Sequence, residues 1–523
     1  MAHSIVKSGS RLSLLTLVSR VLGLVREMTK AAFLGTSALS DAFTVAFFIP
    51  NLLRRLFAEN SISVAFVPTF RACVDRDSSG RIRDFLSSML TVVSLATAVT
   101  VAAGIAFTPL IVPLFGTSAD ETVLLTRIMF PYLAIISVAA FFQGILNGVR
   151  VFSPSGFTPI LFNLAVIGST WFLSRALGNP ARAMAIGVIA GGAAQAAFQI
   201  PFVLRKGFRF RFVNPRTAFA DPDTRKVLAL IGPTVIGMAA YQVNDLVSSI
   251  LASNAGTGVV SSLQYSLRLQ ELILGIFAVS IGTVILPDLS SHAAKADWGP
   301  FNDLLSRAMN TIALITIPVT FYSLANGESL IVLLFKTREF SDESVALTLS
   351  AFTWHVCGLY FIALNRIVSP AFYARKDTRS PTWAGIGSFA CNIPLALLLV
   401  GPMRGGGIAL ALSVASAVNT VLLFVFLSRS GEIRVRALVA RTFRYALKIA
   451  AFSLVATWVM TRVAPFAKAP FANLDRIAAN GIPLAVNLAV FGAVGIALLA
   501  ATRDPLLSAL AGRFARKGRQ GRS

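Results

Sequence analysis

Residues 19–70 read SRVLGLVREMTKAAFLGTSALSDAFTVAFFIPNLLRRLFAENSISVAFVPTF, two runs of membrane-spanning length joined by a short turn. Arg20, Arg26, Glu27, Lys30, Asp41, Arg54, Arg55 and Glu59 sit inside or at the edges of those apolar runs. A charge at bilayer depth costs at least ~2.5–3.5 kcal/mol on the mildest scale, so this many must face water, pair with one another or meet a charged ligand. The stretch therefore implies a polytopic membrane protein whose helices enclose a wet, charged interior.

The rest of the chain agrees. It is 55% hydrophobic and only 13% charged, so lipid replaces water around most of it. Cys73, Cys357 and Cys391 lie far apart and form no CxxC or Cys/His spacing, so neither a disulfide framework nor a metal site is expected. Lys7 and Arg11 ahead of an apolar run resemble a signal peptide, but arginines interrupt that run and no small-residue cleavage site follows. It is read as a retained first span. No GxxxxGK[ST] phosphate loop occurs, which removes ATP hydrolysis, and Gly405–Gly407 read as a turn. His3, His292 and His355 have no catalytic neighbours in sequence; the intramembrane His355 reads as a satisfied core residue ahead of a proton relay. No loop exceeds about twenty residues, too few for a soluble domain with its own core.

At about 20 residues per span, the apolar stretches predict fourteen transmembrane helices: Arg11–Gly35, Asp41–Phe70, Phe85–Phe115, Val123–Gly148, Phe157–Ala176, Ala183–Leu204, Val227–Ser253, Val259–Leu289, Leu304–Ala325, Val345–Tyr373, Pro381–Val400, Gly406–Leu427, Phe443–Arg462 and Ile482–Ala501. An even number places both termini on one side. The loops on that side hold about thirty Lys and Arg against about eight opposite, which makes it cytoplasmic. The same bias accounts for the net charge of +24, with the basic tail touching anionic headgroups and no nucleic acid required. FVPTF ending at Phe70 and ILPDL ending at Leu289 are offset by roughly 219 residues, as are Pro154 and Pro381 nearly, each with basic residues upstream. The expected architecture is all-α: two six-helix lobes in parallel pseudo-repeat, residues 1–220 and 221–430, then two extra helices within 431–502 and a basic cytoplasmic tail, 503–523.

Along the first helix, Arg20 lies about 14 Å and Arg26 about 22 Å beyond Arg11, too deep for easy snorkelling. Arg20 and Glu27 share one face, Arg26 and Lys30 another, and Gly23 permits a bend between them. In the second helix Asp41 reads as an N-cap, Pro50 as a kink, and Arg55 with Glu59 as a pair that leaves Arg54 to meet an anion. Arg268 and Glu271 share a face of the eighth helix. Asp245, near Tyr241 and Asn244, is by location a candidate ion-coupling residue or a polar contact between lobes. Six deep cations outnumber Glu27, Glu59 and Glu271, and arginine forks suit phosphate.

SRVLGLVRE, SDAFTVAFFIPNLLRRLFAE, AFVP and FYARKDTRSPT closely resemble the MurJ (MviN) family of lipid II flippases, within the multidrug/oligosaccharidyl-lipid/polysaccharide exporter superfamily. The resemblance covers essentially the whole chain, LLRRLFAE being its most specific part. It implies a transporter, not an enzyme, of the bacterial inner membrane. Its cargo would be lipid II, the undecaprenyl-pyrophosphate-linked disaccharide-pentapeptide, moved to the outer leaflet by alternating access. It implies cavity residues at Arg20, Arg26, Asp41, Arg54, Arg55, Glu59, Arg268 and Glu271, and a groove for the lipid tail at the last two helices. It implies a monomer without cofactor, driven by the membrane potential or a coupling cation, with cell-wall synthesis proteins as candidate partners. Some relatives carry an acidic residue where this chain has Leu267, which leaves Glu271 as the expected partner of Arg268. An exporter of another polyprenyl-pyrophosphate-linked oligosaccharide would want the same charges. A drug/cation antiporter would want an acidic cavity, an intramembrane glycosyltransferase clustered carboxylates and larger outer loops, and a scaffold protein would have no use for such buried charge.

Overall fold

The structure, a computed structural model, describes residues 2–56, 65–76, 79–116, 120–429, 431–471 and 473–508, without the side chains of 2–13, 79, 233–234, 236–241 and 275–284. All regular structure among the described residues is helical. A backbone in hydrocarbon must satisfy its own N–H and C=O groups, and the α-helix does so within one segment. Hydroxyls are handled similarly: Thr91, Thr108, Thr126, Ser137 and Thr170 each donate to the carbonyl four residues back.

The helix α1 (Ala2–Leu34) stops at Gly35, whose φ of +56° and contact with the Glu339 carbonyl leave no place for a side chain. Ser37 then caps α2 (Ala38–Arg54), accepting from the Ser40 amide at 3.3 Å. Pro50 lies inside α2, which widens into a π turn at Arg55–Leu56. The second apolar stretch is thus described as α2 and a short α3 (Val67–Asp75); residues 57–64 between them, Glu59 included, lie outside the described residues. The helix α4 (Ser79–Ile111) follows. The fourth stretch is interrupted at Phe130, where α5 (Asp120–Met129) gives way to α6 (Pro131–Gly148), with proline in the first helical position where its missing N–H costs nothing. Next come α7 (Ser153–Leu177) and α8 (Pro180–Arg205), packed closely because a Cβ at Gly187 or Gly191 would meet the backbone of Val166 or Phe162. After the short α9 (Pro215–Ala220), α10 (Pro222–Asn254) and α11 (Val259–Ala294) are long helices, as is α12 (Trp298–Phe335). The tenth stretch bends by 42° at Gly358 between α13 (Asp342–Cys357) and α14 (Leu359–Ala374), and Gly358 itself sits against Ser413 with no room for a Cβ. The chain closes with α15 (Arg379–Met403), α16 (Gly405–Ser428), α17 (Val435–Lys468) and α18 (Arg476–Ala501).

Nine helical segments among the described residues are long and apolar enough to cross a membrane, ten if the bent pair α13–α14 is one span. The charge-bearing α1, α2, α10 and α11 are not in that set.

The helices form two compact units, Met1–Gln264 with Thr337–Ser344, and Tyr265–Lys336 with Val345–Ser523. In the first, stacked aromatics dominate: Phe66 lies 5.5, 5.6 and 5.2 Å, centroid to centroid, from Phe70, Phe85 and Phe141. In the second, α12 is fastened to α17 and α18 by polar bonds. Asn487 donates to the Asn326 side chain at 2.8 Å, Asn326 reaches the Met460 sulfur at 3.4 Å, and the Tyr322 hydroxyl donates to the Leu484 carbonyl at 2.8 Å.

Past the end of α18, Asp504 is buried and accepts from Lys448 Nζ at 2.8 Å, from the Tyr445 hydroxyl at 3.3 Å and from the Leu506 amide at 3.0 Å. Burial pushes its carboxyl upward, but Lys448 and the backbone donors outweigh that and hold it below its ordinary value. A depressed folded-state pKa contributes stability above the unfolded carboxylate's pKa, and that stability is lost as pH falls through the folded value. Asp504→Ala strands Lys448 and should destabilise by roughly 2–4 kcal/mol at pH 7. Thermal unfolding in detergent should show this gap narrowing toward acid pH; a gap independent of pH would contradict the assignment.

Candidate functional site

The first helix positions its charges by periodicity and the neighbouring helices supply their partners. Arg20 is half-buried and makes no ion pair with a described residue. Arg26 Nη2 lies 2.8 Å from Glu27 Oε1, both side chains mostly buried, and its guanidinium sits 5.6 Å from the Phe162 ring centroid on α7. Lys30 is buried; its Nζ donates to Thr44 Oγ1 at 2.5 Å and lies 6.0 Å from the Phe43 ring centroid. Thr44 in turn donates to the Ser40 carbonyl at 2.7 Å, so the ammonium is tied into α2. Adjacent Arg26 and Glu27 thus pair directly, where their helical positions had suggested divergent faces.

Asp41 does not cap its own helix; Ser37 does that. The Asp41 carboxylate instead accepts from the Gly258 amide at 2.5 Å, the Ser261 amide at 3.0 Å and the Ser261 hydroxyl at 2.6 Å. Those groups open α11, whose residue before the first turn is a glycine with φ +83° and no side chain to act as a cap. Asp41 supplies the missing cap from α2, and its negative charge meets the positive end of the α11 dipole.

Further along α2, Arg54 Nε donates to Asn51 Oδ1 at 2.9 Å. Arg55 pairs with Asp245 of α10 at 3.1 Å, both side chains being nearly half exposed. Arg55 has an ion pair to Asp245, and the expected Arg55–Glu59 pair falls on Glu59, which lies outside the described residues. A carboxylate distant in sequence offers the same charge without the helical spacing. In the second unit, Arg268 Nη1 pairs with Glu271 Oε2 at 3.0 Å along one face of α11. His355, fully enclosed, has its Nδ1 2.6 Å from Ser266 Oγ, and Gln270 donates to the His355 carbonyl, so it is a satisfied core residue. Among the described residues no cluster of His, Cys, Asp and Glu is gathered to hold a metal.

Thr44, Phe162, Gly258 and Ser261 complete the arrangement, and sequence reasoning missed all four. The available signal was a glycine, Gly258, at the opening of a long helix, where no side chain of its own can cap.

Asp41→Asn keeps the shape but replaces a charged acceptor with a neutral amide and should cost about 1.5–3 kcal/mol of stability; Ser261→Ala, which removes one of three donors, should cost about 1 kcal/mol. Thermal unfolding of the two purified variants checks the order, and equal stability of Asp41→Asn and the parent would contradict the capping role.

The comparisons with known proteins point one way. The family model described as "Lipid II flippase MurJ" matches residues 30–474. A probable lipid II flippase MurJ of Treponema pallidum (strain Nichols) is 48% identical over 510 residues, covering 96% of each chain. The lipid II flippase MurJ of Burkholderia cenocepacia is 33% identical, over 80% of this chain and 82% of the relative. Among solved structures, a lipid II flippase MurJ in an inward closed conformation superposes with a TM-score of 0.78 at 25% identity, over 95% of this chain and 99% of the other. An inward-facing MATE family multidrug transporter shares the fold at TM-score 0.63 and 13% identity, over 82% and 98%. On the breadth of the family match and the identity to its members, the chain belongs to the lipid II flippase MurJ family.

Proposed function

We propose that this chain carries lipid II from the inner to the outer leaflet of the bacterial cytoplasmic membrane, as a transporter and without chemistry on its cargo. The family match over residues 30–474 supports the cargo, and an exporter of a different polyprenyl-linked oligosaccharide finds no support among the relatives. One observation carries the reading at the level of residues. Two of the deep cations are held by carboxylates at salt-bridge distance, Arg26 by Glu27 at 2.8 Å and Arg268 by Glu271 at 3.0 Å. A carboxylate in that position stands where a phosphate oxygen of the cargo would bind, since guanidinium forks accept either.

The proposed cycle follows from that exchange. A pyrophosphate and sugar head cannot cross hydrocarbon unaided, and Arg20, Arg26, Arg54, Arg55 and Arg268 replace its water while the polyprenyl tail stays in lipid. Glu27, Glu59, Glu271 and Asp245 recover the arginines when the head leaves, which prevents a grip too tight for release. The Asp41 cap on α11 acts as a latch near the outer ends of the second and eighth helices, and opening it costs three hydrogen bonds. The architecture proposed for the cycle is fourteen spans in two six-helix lobes, residues 1–220 and 221–430, alternating access around the charges. Residues 431–502 would form a groove for the tail, both termini would be cytoplasmic, and the chain would act as a monomer alongside cell-wall synthesis proteins. The drive is the membrane potential, worth ~2.3 kcal/mol per charge per 100 mV, or a cation at Asp245 once Arg55 has left it.

In cells depleted of their own flippase, Arg20→Ala, Arg26→Ala and Arg54→Ala should each abolish growth rescue at normal expression, with lipid II accumulating in the inner leaflet by a leaflet-sensitive assay. Normal growth in all three would remove the proposal.

A further inference from the structure

The segment joining α8 to α10 is a built strap. It runs as RKGFRFRFVNPRTAFA from Arg205 to Ala220 and contains no acidic residue. Phe208 and Phe210 turn inward. The Phe208 ring lies 5.3 Å from that of Phe70, and Phe210 stacks on Phe142, also at 5.3 Å. Beyond them the backbone is pinned to α4, the Arg211 amide donating to Ser87 Oγ and the Val213 amide to Thr91 Oγ1, each at 3.1 Å. The far end is fixed where Asp221 caps α10 and Arg81 of α4 pairs with Asp221 at 3.1 Å and Asp223 at 2.7 Å.

Phe208 and Phe210 are part-buried while Arg209 and Arg211 are exposed, the alternation expected of extended backbone. Arg205, Lys206, Arg209, Arg211 and Arg216 are all exposed. The alternation predicts Phe212 inward as well, yet it is 70% exposed among those cations. A large ring displayed beside guanidinium groups suits an interface that is apolar on one side and charged on the other. The location agrees. Arg205 ends one helix long and apolar enough to cross a membrane, and Ser87 lies only about 10 Å along another that begins at Gly80, so both contacts are near helix ends.

We propose that residues 205–220 lie on anionic phospholipid headgroups, the exposed cations meeting lipid phosphates and Phe212 entering the acyl boundary. The strap thereby fixes the depth at which α4 and α8 sit, a role independent of the cargo. The charges complement the surface potential of an anionic leaflet, and the carboxylates at the strap's end are already engaged by Arg81.

Hydrogen–deuterium exchange of the full-length protein in nanodiscs tests this directly. The strap amides should exchange about threefold or more slowly in discs holding about 30 mol % phosphatidylglycerol than in phosphatidylcholine alone. The triple variant Arg209→Gln/Arg211→Gln/Arg216→Gln should lose that difference while the α4 amides keep their protection. Equal exchange of the parent protein in the two lipids would overturn the proposal without reference to any variant. So would a difference that survives in the triple variant. Protection in phosphatidylcholine discs on adding inorganic phosphate would assign the strap to a free anion, and protection there by lipid II alone would make it a cargo port; either result also overturns it.

Discussion

A charge inside a bilayer has to bring its own solvent, and the arrangement of this molecule follows from meeting that demand. Lys30 is solvated by Thr44 and the Phe43 ring, Arg26 by Glu27 and Phe162, and Asp41 by three donors at the start of α11. Each of these replaces water with a fixed protein group. The same demand explains the helical structure of the described residues, the hydroxyls that bond back along their own helices, and the polar Asn326–Asn487 bond between apolar helices. A guanidinium held this way can take either of two partners, because its fork fits a carboxylate and a phosphate alike. A transporter of anionic head groups needs that choice of partners.

Much of this was legible in the sequence, and what was legible was local. Arg268 and Glu271 are three residues apart and pair as helical spacing dictates. His355, set in an apolar run without neighbours of its own chemistry, is a core residue, and the apolar runs lie on helices. The unreadable part is long-range. Arg55 has an ion pair to Asp245, 190 positions away, a partner that helical spacing cannot indicate. Asp41 was recognisable as a cap by residue type, but the helix it caps begins at Gly258, and nothing near Asp41 in the chain announces that. Periodicity says which residues share a helix face; it does not say which other helix that face meets.

The interruptions in the spans have the same origin. Hydropathy alone reads through the 42° bend at Gly358 and the one-residue interruption of the helical pattern at Phe130, because a hydrophobic average carries no backbone geometry. The segment after α8 is rich in Lys and Arg, and nothing local shows where its alternating phenylalanines pack. Their insertion beside Phe70 and Phe142 turns a topological signal into a structural element.

The central claim is that the cations of α1 and α2 border water that the cargo head can enter. Asn51, which accepts from Arg54, can report on that without removing any charge. With the three native cysteines replaced by serine, Asn51→Cys should react readily in proteoliposomes with a charged, membrane-impermeant thiol reagent, and lipid II should slow the reaction about tenfold by occupying the same space. A cysteine there that is inert to the reagent, or that reacts at the same rate with and without lipid II, would contradict the account.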